Sequence, residues 1–88
     1  MIERLVTHTQ KDEDGDIIRI GNKNEQWAFT VYQAIYQIKN NKCLYYSRHP
    51  TCSVMSEVIV VNDRVKGEYL RTASDGHTEN NLDNLPDL

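Results

Sequence analysis

The segment SVMSEVIVVN, residues 53–62, limits the folds open to this chain more than any other stretch. It is rich in β-branched residues, which suit a pleated, half-buried surface. Successive side chains of a strand point to opposite faces. Val54, Ser56, Val58 and Val60 therefore fall on one side, and Met55, Glu57, Ile59 and Val61 on the other. Both sides are substantially apolar towards the strand's end. A central strand of this kind needs cover on both faces, and one helix laid on an antiparallel sheet covers only one of them. The second face then calls for a dimer or for the C-terminal segment.

One segment reads as that helix. Thr30 and Gln33 form a T-x-x-Q capping box, in which the hydroxyl and the side-chain amide satisfy free backbone N–H groups. Val31, Ala34, Ile35 and Ile38 follow at helical spacing, with Tyr32 and Tyr36 flanking the stripe and Gln33, Gln37 and Asn40 opposite. The helix should stop near Asn40-Asn41, because Asn tolerates a left-handed cap. Trp27 and Phe29 precede it and should close the core where the chain enters the helix.

The rest reads as strands. Residues 2–8 and 16–20 should form a first hairpin around Asp14-Gly15, a pair that supplies the positive φ of a tight turn. Residues 21–26, GNKNEQ, read as a loop. Residues 42–49 alternate, with Leu44 and Tyr46 on one face and Cys43 and Tyr45 on the other. After Pro50-Thr51 and the central strand, residues 63–67 turn the chain into a short last strand, 68–72. The order β-β-α-β-β-β predicts an α+β fold: a small antiparallel sheet with one helix packed on one face. Residues 72–88 should form an irregular, ordered clasp. Leu82 and Leu85 lie one helical turn apart, Pro86 bars a longer helix, and Asn and Asp side chains hold irregular backbone. At 88 residues the chain is expected to be one domain, 1–88.

Tyr69-Leu70-Arg71-Thr72, then Asp75-Gly76, then Asn80-Asn81-Leu82-Asp83-Asn84-Leu85-Pro86 resemble the ending of a family of small bacterial domains of unknown function. The first turn (D-x-D-G), the Ala34-Ile35 pair in the helix and the Tyr45-Tyr46 strand resemble that family too. The resemblance implies a small α+β fold of bacterial or phage origin. It implies no activity.

Composition excludes several classes. No apolar run approaches the roughly 18–20 residues that span a bilayer, so no membrane partner is expected. The N-terminus lacks the pattern of a signal peptide. With only two cysteines, Cys43 and Cys52, a disulfide framework is not indicated, and a cytoplasmic protein with reduced thiols is expected. His8, His49, His77, Cys43 and Cys52 show no metal-ligand spacing, and Asp12, Asp14 and Asp16 fail the EF-hand pattern. No cofactor and no metal are expected. The net charge of −3 argues against a general DNA binder. It is uneven: residues 75–88 hold four acids and no Lys or Arg, which leaves +1 for the remainder.

No convergent set of catalytic residue types stands out, so the leading expectation is a non-enzymatic binding module whose partner is a protein or a second copy. The expected contact surface combines Tyr45, Arg48, Tyr69 and Arg71 with Thr72, Asp75 and Asn80 at the start of the tail. Arg71 would either clamp a ligand's phosphate or carboxylate or pair with Asp75 or Asp83 and pin the clasp. The same Tyr/Arg set offers a second reading, single-stranded nucleic-acid or nucleotide binding, with rings for stacking and cations for phosphates. A third reading, a hydrolase or transferase, would use His77 with Asp75 or Cys52.

Overall fold

The computed structural model describes residues 2–48, 55–73 and 81–88. The chain folds as α+β, with seven strands in two sheets and one α-helix among these residues. The first sheet has the order β1-β5-β6-β7, built from β1 (Ile2–Val6), β5 (Cys43–Arg48), β6 (Met55–Asp63) and β7 (Gly67–Thr72). β6 is an inner strand, paired antiparallel to β5 and β7, while β1 runs parallel to β5. The second sheet, β2 (His8–Lys11), β3 (Ile17–Asn22) and β4 (Trp27–Thr30), is antiparallel throughout.

The hairpin at Asp14-Gly15 forms, but over a different span from the one the sequence suggests. Only His8 of residues 2–8 belongs to it, and β2 continues to Lys11 before the turn. Residues 2–11 run on with a single break at Thr7, the first half joining one sheet and the second half the other. Strands that switch sheets make the corners of two-layer folds. The corner is fastened by Thr7 N–H to Gly21 O at 3.0 Å and Asn22 Nδ2 to Leu5 O at 2.9 Å. In the turn, Asp12 Oδ1 accepts from the backbone N–H of Asp14 and Asp16, and Gly15 takes φ +84°. Residues 21–26 also divide differently: Gly21 and Asn22 finish β3, only 23–26 turn, and Trp27–Thr30 is an additional strand.

The helix α1 (Val31–Lys39) starts on the T-x-x-Q box, with Gln33 N–H donating to Thr30 Oγ1 at 3.2 Å and Thr30 N–H to Gln33 Oε1 at 2.9 Å. It ends at Asn40, and Asn41 takes φ +54°. Val31, Ala34 and Ile35 point into a core shared with Val6, Ile20, Cys43, Tyr45, Val58, Leu70 and Leu82. An ion pair from Lys39 to Glu68, 2.5 Å, ties the helix to β7.

The C-terminal segment closes the fold. Leu82, in a 3-10 turn at Asn81–Asn84, is 0% exposed, and Leu85 packs on the core. Thr9 N–H donates to Pro86 O (3.0 Å) and Leu88 N–H to Thr9 O (2.9 Å), so Asp87 makes a single parallel bridge beside β2. That pairing occupies the open edge of the second sheet. Leu88 also lies over Gly21, where an added Cβ would stand only 2.7 Å from its side chain. Leu82→Ala should cost about 2–5 kcal/mol, the range for deleting a buried leucine. Urea unfolding measures it, and a variant within a few tenths of a kcal/mol of the parent would contradict this packing.

Candidate functional site

Of the positions singled out in the sequence, Tyr45 trades places with its neighbour Tyr46. In β5 the inward side chains are Cys43, Tyr45 and Ser47, all buried, so Leu44, Tyr46 and Arg48 point the other way. On β6 the inward set is Ser56, Val58 and Val60, and on β7 it is Leu70 and Thr72. The outer face of the first sheet therefore carries Leu44, Tyr46 and Arg48, Met55, Glu57, Ile59 and Val61, and Tyr69 and Arg71. β1 adds Glu3, whose carboxylate accepts from the Tyr46 hydroxyl at 3.5 Å. Desolvation, with the nearby charges of Glu3 and Glu57, pushes the Tyr46 phenol above its ordinary pKa.

Leu44, Tyr46, Ile59, Val61 and Tyr69 are half-buried, yet none belongs to the core cluster or packs against it. They lie on the face of the sheet turned away from that core. By contrast the inward face of the same sheet buries Ser47, Ser56 and Thr72. Among the described residues Ser47 Oγ has no hydrogen-bond partner, an arrangement that costs free energy. The sheet thus buries small polar side chains on its inner face and carries apolar ones on its outer face.

Tyr45 is 0% exposed and offers no ring to a ligand. It sits at the centre of an internal cluster that the sequence did not announce. Its ring lies 5.7 Å from that of Trp27, which in turn lies 5.7 Å from Phe29. The Arg4 guanidinium stacks 4.9 Å from Phe29 and 5.7 Å from Trp27, and Arg4 Nη1 reaches Tyr45 Oη at 3.5 Å and Cys43 Sγ at 3.4 Å. The Tyr45 hydroxyl donates to Gln37 Oε1 on α1. Burial, with the adjacent Cys43, pushes this phenol up to about 12, while Arg4 opposes the shift. Trp27 and Phe29 close the core here, as their position before the helix suggests. The only sequence signal for the cluster is Arg4 at alternate spacing from Val6.

The other expected site residues are distributed as follows. Arg48, Tyr69 and Arg71 share the outer face, while Thr72 is buried on the inner one. The Arg71 Nε–H donates to Thr72 O at 3.3 Å, and no ion pair joins Arg71 to Asp83. Asp75 and Asn80 lie outside the described residues, as do His49, Cys52 and His77, so the hydrolase or transferase reading finds no geometry here. Cys43 is a free, buried thiol. Among the described residues no three of His, Cys, Asp and Glu converge as a metal site. None of the described helices is long and apolar enough to cross a membrane. A groove of about 510 Å³ between the turns at Gly15 and Gly67 is lined in part by Asp12, Asp16, Glu68 and Asp83, with Tyr32 and Tyr69 beside them and Lys66 paired to Asp16 at 3.7 Å.

These features define a small two-sheet α+β domain whose outer sheet face, among the described residues, carries apolar and aromatic side chains and no assembled catalytic centre. The chain belongs to the family described as Protein of unknown function (DUF3892), whose model matches residues 5–86. No curated protein and no solved structure matches it.

Burial of Tyr45 has a pH signature. Its folded pKa, about 12, lies above the ordinary 10.0, so the fold favours the neutral phenol. That contribution is complete below pH 10 and is lost as pH rises through 12. The melting temperature of the parent should fall across this window, and Tyr45→Phe should fall less steeply. Parallel slopes for the two proteins would place the alkaline loss elsewhere.

Proposed function

We propose that this chain is a non-enzymatic interaction module that binds a protein through the outer face of its four-stranded sheet. The observation that carries the reading is the set Leu44, Tyr46, Ile59, Val61 and Tyr69, apolar and aromatic side chains gathered on one face outside the core. Covering them removes apolar surface from water at roughly 25 cal/mol per Å². Tyr and Arg, which supply Tyr46, Tyr69, Arg48 and Arg71, are the types that dominate protein contacts when buried at an interface centre. The family resemblance supports a bacterial or phage origin, and the free Cys43 thiol suits a cytoplasmic setting.

Nucleic-acid binding is a second reading, because Tyr46 with Arg48 and Tyr69 with Arg71 both point outwards from neighbouring parts of one sheet. Glu3 and Glu57 lie on the same face and repel phosphate, which favours the protein partner. Salt separates the two. A protein contact centred on Ile59 keeps most of its affinity between low and physiological salt, whereas phosphate contacts lose orders of magnitude.

A photo-reactive amino acid placed at Ile59 or Tyr69 should cross-link to protein in the native cells, whereas one at Val65, 93% exposed at a hairpin turn, should not. Equal cross-linking from Val65, or adducts only with RNA or DNA, would refute the protein reading.

A further inference from the structure

We infer that the occupant of this face is a second copy of the same chain, packed face to face about a two-fold axis that runs parallel to the strands. The inference rests on the outer face being the contact surface. It comes from the order of charges across the sheet. Glu3 pairs with Leu44, and Ile59 with Arg71. Continuing the β5–β6 register from Tyr46 opposite Glu57 sets Leu44 beside Ile59. One row of the face therefore reads Glu3, Leu44, Ile59, Arg71, with an acid at the β1 edge, a base at the β7 edge and two branched apolar residues between. The next row reads Leu5, Tyr46, Glu57, and then Ala73, whose N–H donates to Glu57 O at 2.8 Å.

A two-fold axis along the strands reverses each row while keeping its level. Glu3 of one copy then meets Arg71 of the other, Leu44 meets Ile59, and the Tyr46 hydroxyl meets the Glu57 carboxylate. Every contact occurs twice, as an isologous interface requires. A two-fold axis across the strands would instead place β1 over β1 and β7 over β7, acid against acid and base against base. The charge order selects the first arrangement. It matches aligned packing of two sheets about 10 Å apart, with their strands about 30° from parallel. Among the described residues neither Glu3 nor Arg71 takes part in an ion pair within its own chain. Glu3 and Arg71 satisfy each other in a self-contact, which is not what a phosphate-rich ligand would select.

The experiment is sedimentation equilibrium on the full chain and four variants, with circular dichroism to check the fold. The parent should be a reversible dimer. Glu3→Arg alone sets Arg against Arg71, and Arg71→Glu alone sets Glu against Glu3. Each should weaken the dimer by about a hundredfold, since like charges facing each other cost several kcal/mol. The double variant carrying both changes should regain it. So should an equal mixture of the two single variants, because a mixed dimer restores both opposite-charge pairs. Ile59→Lys should be monomeric and gain nothing from mixing.

A monomeric parent would overturn the second-copy inference and leave the face to another protein, which the cross-linking would still report. A parent dimer untouched by Ile59→Lys would overturn both this inference and the face itself. A dimer weakened by Ile59→Lys but indifferent to the charge exchanges would overturn the proposed two-fold arrangement.

Discussion

The burial of Tyr45 between the two sheets is the constraint on which the rest of the molecule depends. Its ring packs on Trp27 of the second sheet, and its hydroxyl is shared between Arg4 and Gln37. One residue thus joins β1, β4, β5 and α1. Because side chains alternate along a strand, fixing Tyr45 inwards also fixes Cys43 and Ser47 inwards and turns Leu44, Tyr46 and Arg48 out. A one-residue slip would exchange the two sets completely. The composition of the open face is therefore a consequence of how the core is packed.

The two sheets stay in register because the chain crosses between them at both ends. Residues 2–11 leave the first sheet at Val6 and enter the second at His8. The last residues return to β2, where Thr9 receives the backbone of Pro86 and Leu88 and Leu82 fills the space below. A domain of this size has a thin stability margin, and the closing segment adds both apolar burial and edge pairing. Among the described residues, 81–88 pack on the core and on β2, not on the outer face of the first sheet.

Much of the fold was legible because its signals are local. The capping box at Thr30 and Gln33, the period of Val31, Ala34 and Ile35, and the turn glycines Gly15 and Gly67 act within a few residues of themselves. The parallel pairing of β1 with β5 was not legible, because it depends on a segment some forty positions away and residues 2–6 carry no mark of their partner. β4 was missed because its four residues stop directly at the helix cap. Within the site, alternation showed that Tyr45 and Tyr46 face opposite ways but not which faces in. Hydrophobicity pointed the wrong way: the inner set Cys43, Tyr45 and Ser47 is no more apolar than the outer set, and Arg4 faces in with it. Aromatic and cation–π contacts, together with the hydrogen bond to Gln37, outweigh that difference. None of them can be read from β5 alone. The inversion is the feature behind the proposed contact: the sheet buries Ser47, Ser56 and Thr72 while leaving Leu44, Ile59 and Val61 half-buried on its outer side.

The most direct test of this arrangement is a proton NOESY spectrum of the dilute protein with assigned aromatic rings. Tyr45 ring protons should show cross-peaks to the Trp27 indole, 5.7 Å away between centroids. Tyr46 should show none to Trp27, and should instead contact side chains of the outer face. Cross-peaks from Tyr46 to Trp27 would mean that β5 presents its other face to the core, and the proposed contact face would be buried.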